Sequence, residues 1–411
     1  MGIEHEVWGR RCRTVRRSLS RIVEKRKEYE ITGLSNLKRF ALRRYEGGAE
    51  MKQRVVVAMS GGVDSSTTAW LLKEKGYEVI GATMCIGMMD RNQKEPARCC
   101  GLADIEDARR VALQLEIPFF LFDLREEFEE EVIHYFCNEY VRGRTPNPCI
   151  LCNERMKFGS FLEKALKLGA DFVATGHYAR LEFDENRNQL ILKKGVDQRK
   201  DQSYVLFSLT QDQFQRILFP LGEYRKEEVR RKALELNLRV HDKPESQEVC
   251  FIHEASYHSF LSEKLKEAIE PGPIVDKKGN VLGRHKGIPF YTIGQRRGLR
   301  LAKGKPLYVI GIDREKNLIV VGREDEVYGD TFIVDSVNWI ASKDMGPSLT
   351  AQVKIRYNHP GSEAVLFAKE GDEVEVKFKT PQKAITPGQA AVFYDRETVL
   401  GGGWIKEVLK S

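Results

Sequence analysis

Two textures follow one another along the chain. From Arg54 to about Tyr178, short apolar runs alternate with longer stretches whose apolar positions recur every three or four residues. The runs predict strands over Arg54–Met59, Val79–Met84, Phe119–Asp123 and Phe172–Thr175. The periodic stretches predict helices over Ser65–Lys75, Asp104–Leu115, Phe128–Val141 and Glu154–Leu168, the last stopped by Gly169. Such alternation implies a doubly wound parallel sheet, because each crossover helix covers a face of it. Arg180–Phe183 and Gln189–Lys194 flank a polar turn and read as a hairpin, and Lys226–Leu236 reads as a further helix. Beyond about residue 260 the helical period fades into short alternating runs: Leu307–Ile312, Leu318–Val321, Gln352–Tyr357, Glu363–Phe367, Glu373–Lys379 and Ala391–Tyr394. Turn residues recur between them at roughly the spacing of an all-β module, so a small C-terminal β-barrel is expected. The expected fold class is α/β, a Rossmann-like doubly wound sheet followed by a small linking domain and that barrel. The expected divisions are a basic extension over 1–50, the α/β domain over 51–258, the linking domain over 259–328 and the barrel over 329–411.

Composition sharpens this picture in three ways. The longest apolar runs fall far short of a membrane span, so no membrane role is expected. The net charge of +7 is uneven, for residues 1–50 carry 13 Lys/Arg against 7 Asp/Glu while the remainder is nearly balanced. That segment lacks the apolar core of a secretory signal and reads as a solvated tail or a basic RNA-touching arm. Eight cysteines without an export signal point to a reducing cytoplasm, where thiols do chemistry or bind metal.

The most informative residues lie just after the first predicted strand. Ala58, Met59, Ser60, Gly61, Gly62, Val63, Asp64 and Ser65 form a strand–glycine turn–helix junction. Glycines without Cβ let backbone N–H groups close around phosphate oxygens, and the helix that follows points its positive end at the same spot. The Walker-type Gly-Lys-Ser/Thr triplet occurs nowhere in the chain. The stretch resembles the PP-loop of ATP pyrophosphatases, Ser-Gly-Gly-x-Asp-Ser. That likeness implies cleavage of ATP between the α and β phosphates, with Mg²⁺ on the phosphate oxygens and Asp64 orienting the ion or the loop.

A second segment, Thr145-Pro146-Asn147-Pro148-Cys149-Ile150-Leu151-Cys152, is held out of helix by its prolines. Cys152 is expected at the entry to the helix near Glu154, where the positive helix end would lower its pKa. Cys149-x-x-Cys152 by itself fits half a zinc site, a redox pair or iron–sulfur ligation. Cys250, between Val249 and Phe251, reads by itself as a small buried hydrophobe.

Together these pieces resemble the tRNA-specific 2-thiouridylases. The matching stretches are Ser60–Ser65, Gly143–Pro148 with Cys152, Ala174–Tyr178, Lys200–Tyr204, Cys250–Ile252, Thr292–Gly298, Thr386–Gln389 and Leu400–Gly403, in order over about residues 51–411. The resemblance implies Cys152 as nucleophile and Cys250 as persulfide carrier, closing a disulfide during turnover. It implies Ala58 to Ser65, Met84 and Gly176 at ATP, and Asn147, Pro148 and Cys149 at the target base. It places His177, Lys200, Asp201, Gln202, Arg356, Tyr357 and Gln389 toward tRNA. Many members carry an acid–base Asp where this chain has Cys149; others carry Cys. Two sulfur routes therefore stay open, a persulfide on Cys250 or an iron–sulfur cluster on Cys149, Cys152 and Cys250. A cysteine desulfurase or a sulfur-relay protein is the implied donor. The rival functions are a different PP-loop tRNA sulfurtransferase and a non-catalytic tRNA-binding or sulfur-relay protein.

Overall fold

The computed structural model describes residues 52–87, 102–244, 249–252, 257–266, 269–301, 305–341 and 346–409. The basic extension expected over 1–50 lies outside the described residues.

Five parallel strands form the first sheet: β1 Arg54–Ala58, β2 Glu78–Cys85, β3 Phe119–Asp123, β4 Phe172–Ala174 and β7 Ile217–Leu218, in the order β3-β2-β1-β4-β7. Val55, Val56 and Val57 of β1 are fully buried. Val56 faces one core with Ile80 and Phe122, while Val55 and Val57 face the other with Ala69, Leu72 and Val111. Burial on both faces is why β1 reads as a continuous apolar run and not an alternating one. The strand order reverses between β1 and β4, so the loops leaving these two neighbours flank the crevice where such sheets bind ligands.

Helix α1, Val63–Glu74, follows β1, and α2, Leu102–Gln114, follows β2. Helix α3 runs over 125–141 and contains a π-helical stretch at Glu129–Ile133. Helix α4 runs over 148–167 with a longer π-helical stretch, Cys152–Ser160. It starts six residues before the expected Glu154, since Pro148 occupies the first helical turn, where its missing N–H costs nothing. Asn147 caps this start by accepting from the Cys149 N–H at 3.1 Å. Helices α5, Lys226–Glu235, and α6, Tyr257–Lys264, complete the set used below.

The expected hairpin is β5 Ala179–Asp184 with β6 Gln189–Lys194. The linking domain has a four-stranded sheet in which β8 Gly272–Val275 and β9 Val281–His285 join β10 Tyr308–Asp313 and β11 Leu318–Gly322. The C-terminal strands β12 Tyr328–Trp339, β13 Ser348–Lys354, β14 Ser362–Ala368, β15 Val374–Lys383, β16 Ala390–Asp395 and β17 Thr398–Leu409 close on themselves through β12–β17 pairing. The result is a six-stranded barrel filled by Phe332, Val353, Leu366, Phe378, Phe393 and Ile405.

Strand β17 was not expected, because its middle is Gly401-Gly402-Gly403. The structure gives the reason for those glycines. A Cβ at Gly401 would lie 2.4 Å from the Asn338 carbonyl oxygen, and one at Gly403 2.4 Å from that of Asp335. One at Gly402 would meet the Phe207 ring at 2.8 Å. Close approach of β12 on one side and of the α/β domain on the other excludes any side chain there.

Candidate active site

The loop after β1 is shaped by hydroxyls. The Ser60 N–H donates to Ser65 Oγ at 3.1 Å, and the Ser65 and Ser66 hydroxyls donate to the Gly62 carbonyl at 3.2 and 2.9 Å. Gly61 sits at φ +70°, and a Cβ there would lie 2.2 Å from the Asp104 carbonyl oxygen. No side chain caps α1, whose N-cap is Gly62. The N–H groups of its first turn therefore stay available to an anion, backed by a twelve-residue helix.

Asp64 is occupied by protein partners. Tyr178 Oη donates to its carboxylate at 2.8 Å, and Lys226 Nζ at 2.7 and 2.8 Å. Lys226 itself is buried at the start of α5. A second cation, Lys243, donates to the Gly61 carbonyl at 3.1 Å and pairs with Asp104 and Asp107 at 2.7 and 2.6 Å. One tyrosine and two lysines thus hold the loop: Tyr178, Lys226 and Lys243. Tyr178 ends the Ala174–Tyr178 motif, but nothing local to Lys226 or Lys243 marks them.

Gly176, after β4, packs against the same loop, where a Cβ would lie 2.9 Å from Asp64 Cβ and 3.0 Å from the Ser65 N. Met84, on β2, is half-buried against the sheet core, and Ala58 and Met59 close the end of β1. The next residue, His177, is buried, not presented on a surface. Its Nδ1 lies 2.7 Å from Thr175 Oγ1 and its Nε2 3.5 Å from Lys157 Nζ. Burial and the Lys157 charge hold its pKa well below the usual histidine range, so the ring is neutral.

Cys152 opens the π-helical stretch of α4 and is buried. The expected lowering of its pKa by a helix N-terminus does not hold. The helix starts at Pro148, so Cys152 lies beyond its first turn, and burial pushes the thiol up to about 11. Lys157 opposes that rise. Cys149 occupies the terminal turn instead and is exposed, yet the surrounding protein still raises its pKa, again opposed by Lys157. Cys250 is exposed, contrary to the reading as a buried hydrophobe, while its neighbour Phe251 is buried against Phe128, Phe136 and Phe260 at ring distances of 5.7, 5.2 and 5.4 Å. None of Cys149, Cys152 and Cys250 is in a disulfide. Among the described residues no three His, Cys, Asp or Glu side chains assemble into a metal-binding group, so these three cysteines do not form a cluster site in this arrangement.

The residues expected toward tRNA divide by environment. Asp201 is buried and accepts from the Ser203 N–H and hydroxyl, both at 3.0 Å, and Gln202 accepts from the Tyr178 N–H at 3.0 Å. Gln389 donates to the Thr145 carbonyl at 2.8 Å. These three shape turns and loops. Lys200 is half-buried, Arg356 donates to the Lys383 carbonyl at 3.0 Å, and Tyr357 is exposed beside Tyr204.

The loop 143–148 joins the α/β domain to the linking domain and the barrel. The Thr145 N–H donates to the Pro387 carbonyl of the barrel at 2.9 Å, and its hydroxyl lies 3.1 Å from that of Thr292 in the linking domain. A Cβ on Gly388 would lie 2.9 Å from the Thr145 N.

A parallel sheet with an uncapped Ser-Gly-Gly-x-Asp-Ser loop at its switch point defines an ATP-using PP-loop domain. Family models match in the same order along the chain: a tRNA methyl transferase HUP domain over residues 53–254, its PRC-barrel domain over 258–323, and an aminomethyltransferase beta-barrel domain over 329–405. The tRNA-specific 2-thiouridylase MnmA of Halothermothrix orenii is 52% identical over 356 residues, covering 86% of this chain and 99% of that protein. The enzyme MnmA 2 of Thermoanaerobacter sp. is 49% identical over 364 residues, covering 88% and 100%. MnmA of Acetivibrio thermocellus is 48% identical over 357 residues, covering 86% and 99%. The chain belongs to the tRNA-specific 2-thiouridylase family.

Proposed function

We propose that this protein is a tRNA-uridine 2-sulfurtransferase that uses ATP to replace the 2-oxygen of a wobble uridine with sulfur. The observation that carries the reading is the continuity from anion loop to thiol. Gly176 touches Asp64, the adjoining His177 approaches Lys157, and the Lys157 charge acts on Cys152. Transfer of a methyl group, named in the description of the family model, would leave both the pyrophosphate loop and the cysteines unused.

The carbonyl at C2 of uracil is a poor electrophile with a poor leaving group. Its oxygen attacks the α-phosphorus of ATP, and pyrophosphate departs into the first turn of α1 and the hydroxyls of Ser60 and Ser65. Mg²⁺ would enter on the phosphate oxygens, because the Asp64 carboxylate is already engaged by Lys226 and Tyr178. The terminal sulfur of a Cys250 persulfide then attacks C2 and AMP leaves, giving a C2–S–S–Cys250 linkage. Cys152, as thiolate, attacks the Cys250 Sγ. The S–S bond to the base breaks, 2-thiouridine is released, and a Cys152–Cys250 disulfide forms. An external thiol reductant returns two electrons and restores both thiols. The persulfide comes from a cysteine desulfurase or a relay protein in the cytoplasm. The persulfide route is favoured over an iron–sulfur cluster because, among the described residues, no three candidate ligands assemble into a metal-binding group.

The target base would leave the anticodon stack to meet Asn147, Pro148 and Cys149 at the start of α4. Lys200, Arg356 and Tyr357 would contact RNA, whereas His177, Asp201, Gln202 and Gln389 would act by holding the surrounding loops. The same reading assigns catalysis to 51–258, linkage to 259–328 and barrel support to 329–411. The test is pyrophosphate release from ATP with purified tRNA. Release should depend on a tRNA with a wobble uridine and persist in Cys152→Ser and Cys250→Ser while thiolation is lost. Release without any tRNA requirement would overturn the assignment.

A further inference from the structure

Lys157 is not among the residues that the family motifs marked for chemistry, yet it stands at the centre of the thiol site. It follows Cys152 by five positions within one π-helical stretch, Cys152–Ser160. Hydrogen bonding from i to i+5 widens the turn and brings residue 157 round toward the face of residue 152; in an α-helix the same spacing would turn them apart. Such π-helical insertions occur often at functional sites. Nζ donates to Asn153 Oδ1 at 2.9 Å and lies 3.5 Å from His177 Nε2. Asn153 is itself fixed, buried and donating to the Val205 carbonyl at 2.9 Å. Both neighbours of the ammonium are neutral, and among the described residues no carboxylate pairs with it. A half-buried ammonium held by neutral acceptors keeps its charge available to an anion that forms beside it.

We propose that Lys157 is a positioning residue that sulfur transfer uses to ionise Cys152, and that the π-helical stretch exists to set the two side chains in register. The titratable groups acting on Cys152 are Lys157 and Cys149. The nearby acids Glu131 and Glu154 face Arg155, which ion-pairs with both. Proton loss from the Cys152 thiol would leave a thiolate against the Lys157 ammonium. The thiolate then attacks the Cys250 Sγ as written above, and the proposal rests on that reading only for this last step.

Alkylation of Cys152 by iodoacetamide, followed peptide by peptide in the full-length protein without tRNA, reads ionisation directly. Lys157→Met should move the alkylation profile to higher pH, slowing Cys152 modification about ten-fold at any pH below the wild-type inflection. Lys157→Arg should restore most of the rate, and alkylation of Cys250 should be unchanged in both. Thiolation should fall in Lys157→Met while tRNA-dependent pyrophosphate release stays at the wild-type level. An unshifted Cys152 profile in a Lys157→Met protein with a wild-type melting temperature would overturn the proposal. So would parallel loss of pyrophosphate release, which would make Lys157 a ligand for ATP or RNA. Should Lys157→Met fail to fold, an unshifted profile in Lys157→Gln would overturn it equally. A shifted profile in a protein that never thiolates tRNA would support the thiol–ammonium pair while refuting the proposed function.

Discussion

At the residue scale, the phosphate loop shows how charge is arranged around an empty-handed backbone. Asp64 looks from sequence like a candidate metal ligand. In the fold its carboxylate is held by the buried ammonium of Lys226 and the Tyr178 hydroxyl. Both partners come from far along the chain, at sequence separations of 162 and 114 residues, so no local pattern announces them. Removing one member of such a pair strands the other. Lys226→Met should cost about 3 kcal/mol of stability, the typical penalty for breaking a largely buried ion pair. Chemical denaturation measures it, and a loss below about 1 kcal/mol would place Asp64 in an environment wet enough to tolerate isolation. Cys152 teaches the same lesson. A helix beside it was legible, but its start at Pro148, six residues before the expected Glu154, was not, and burial then reversed the direction of the Cys152 pKa.

At the element scale, the helices and strands of the parallel sheet were legible because apolar period and glycine punctuation agree there. The misses have physical causes. Strand β7 is two residues long, and β17 carries three glycines that packing demands and strand propensity opposes. The π-helical stretches in α3 and α4 leave no trace in an apolar pattern read at period 3.6. One of them, Glu129–Ile133, lies next to Phe128 and Phe136, which with Phe260 of α6 receive the Phe251 ring. Phe251 thereby anchors a short segment that presents Cys250 to solvent. In the proposed transfer this segment would carry sulfur to Cys152, and a socketed aromatic would set where it returns. Phe251→Ala should therefore lower thiolation about ten-fold or more while leaving tRNA-dependent pyrophosphate release intact, an effect of misplacement and not of lost chemistry. Unchanged thiolation in that variant would show that Cys250 finds its target without the anchor.

At the scale of the whole molecule, the loop 143–148 is the junction. It leads directly into the cysteine-bearing helix and is bonded to the barrel at Pro387 and Gln389 and to the linking domain at Thr292. The sequence marks each of these pieces as a motif but gives no sign that they touch; their separations of 147 and 244 residues put the contact beyond any local pattern. The barrel thus helps set the position of the loop that would receive the base. Gly388 makes this possible, with φ +90° and no room for a Cβ against Thr145 and Arg144. Gly388→Ala should destabilise the protein by about 1–3 kcal/mol through backbone strain and the clash. A thermal melt checks this, and an unchanged melting temperature would show that the junction yields freely.

In the proposed reaction ATP activates a tRNA uridine for sulfur carried on Cys250 and released by Cys152. Mass spectrometry of nucleosides from unmodified tRNA, incubated with the protein, ATP and a persulfide donor, tests it most directly. The account predicts 2-thiouridine with the wild-type chain, none without ATP, and none with Cys152→Ser or Cys250→Ser. Abundant 2-thiouridine from either cysteine variant, or from a reaction lacking ATP, would contradict it.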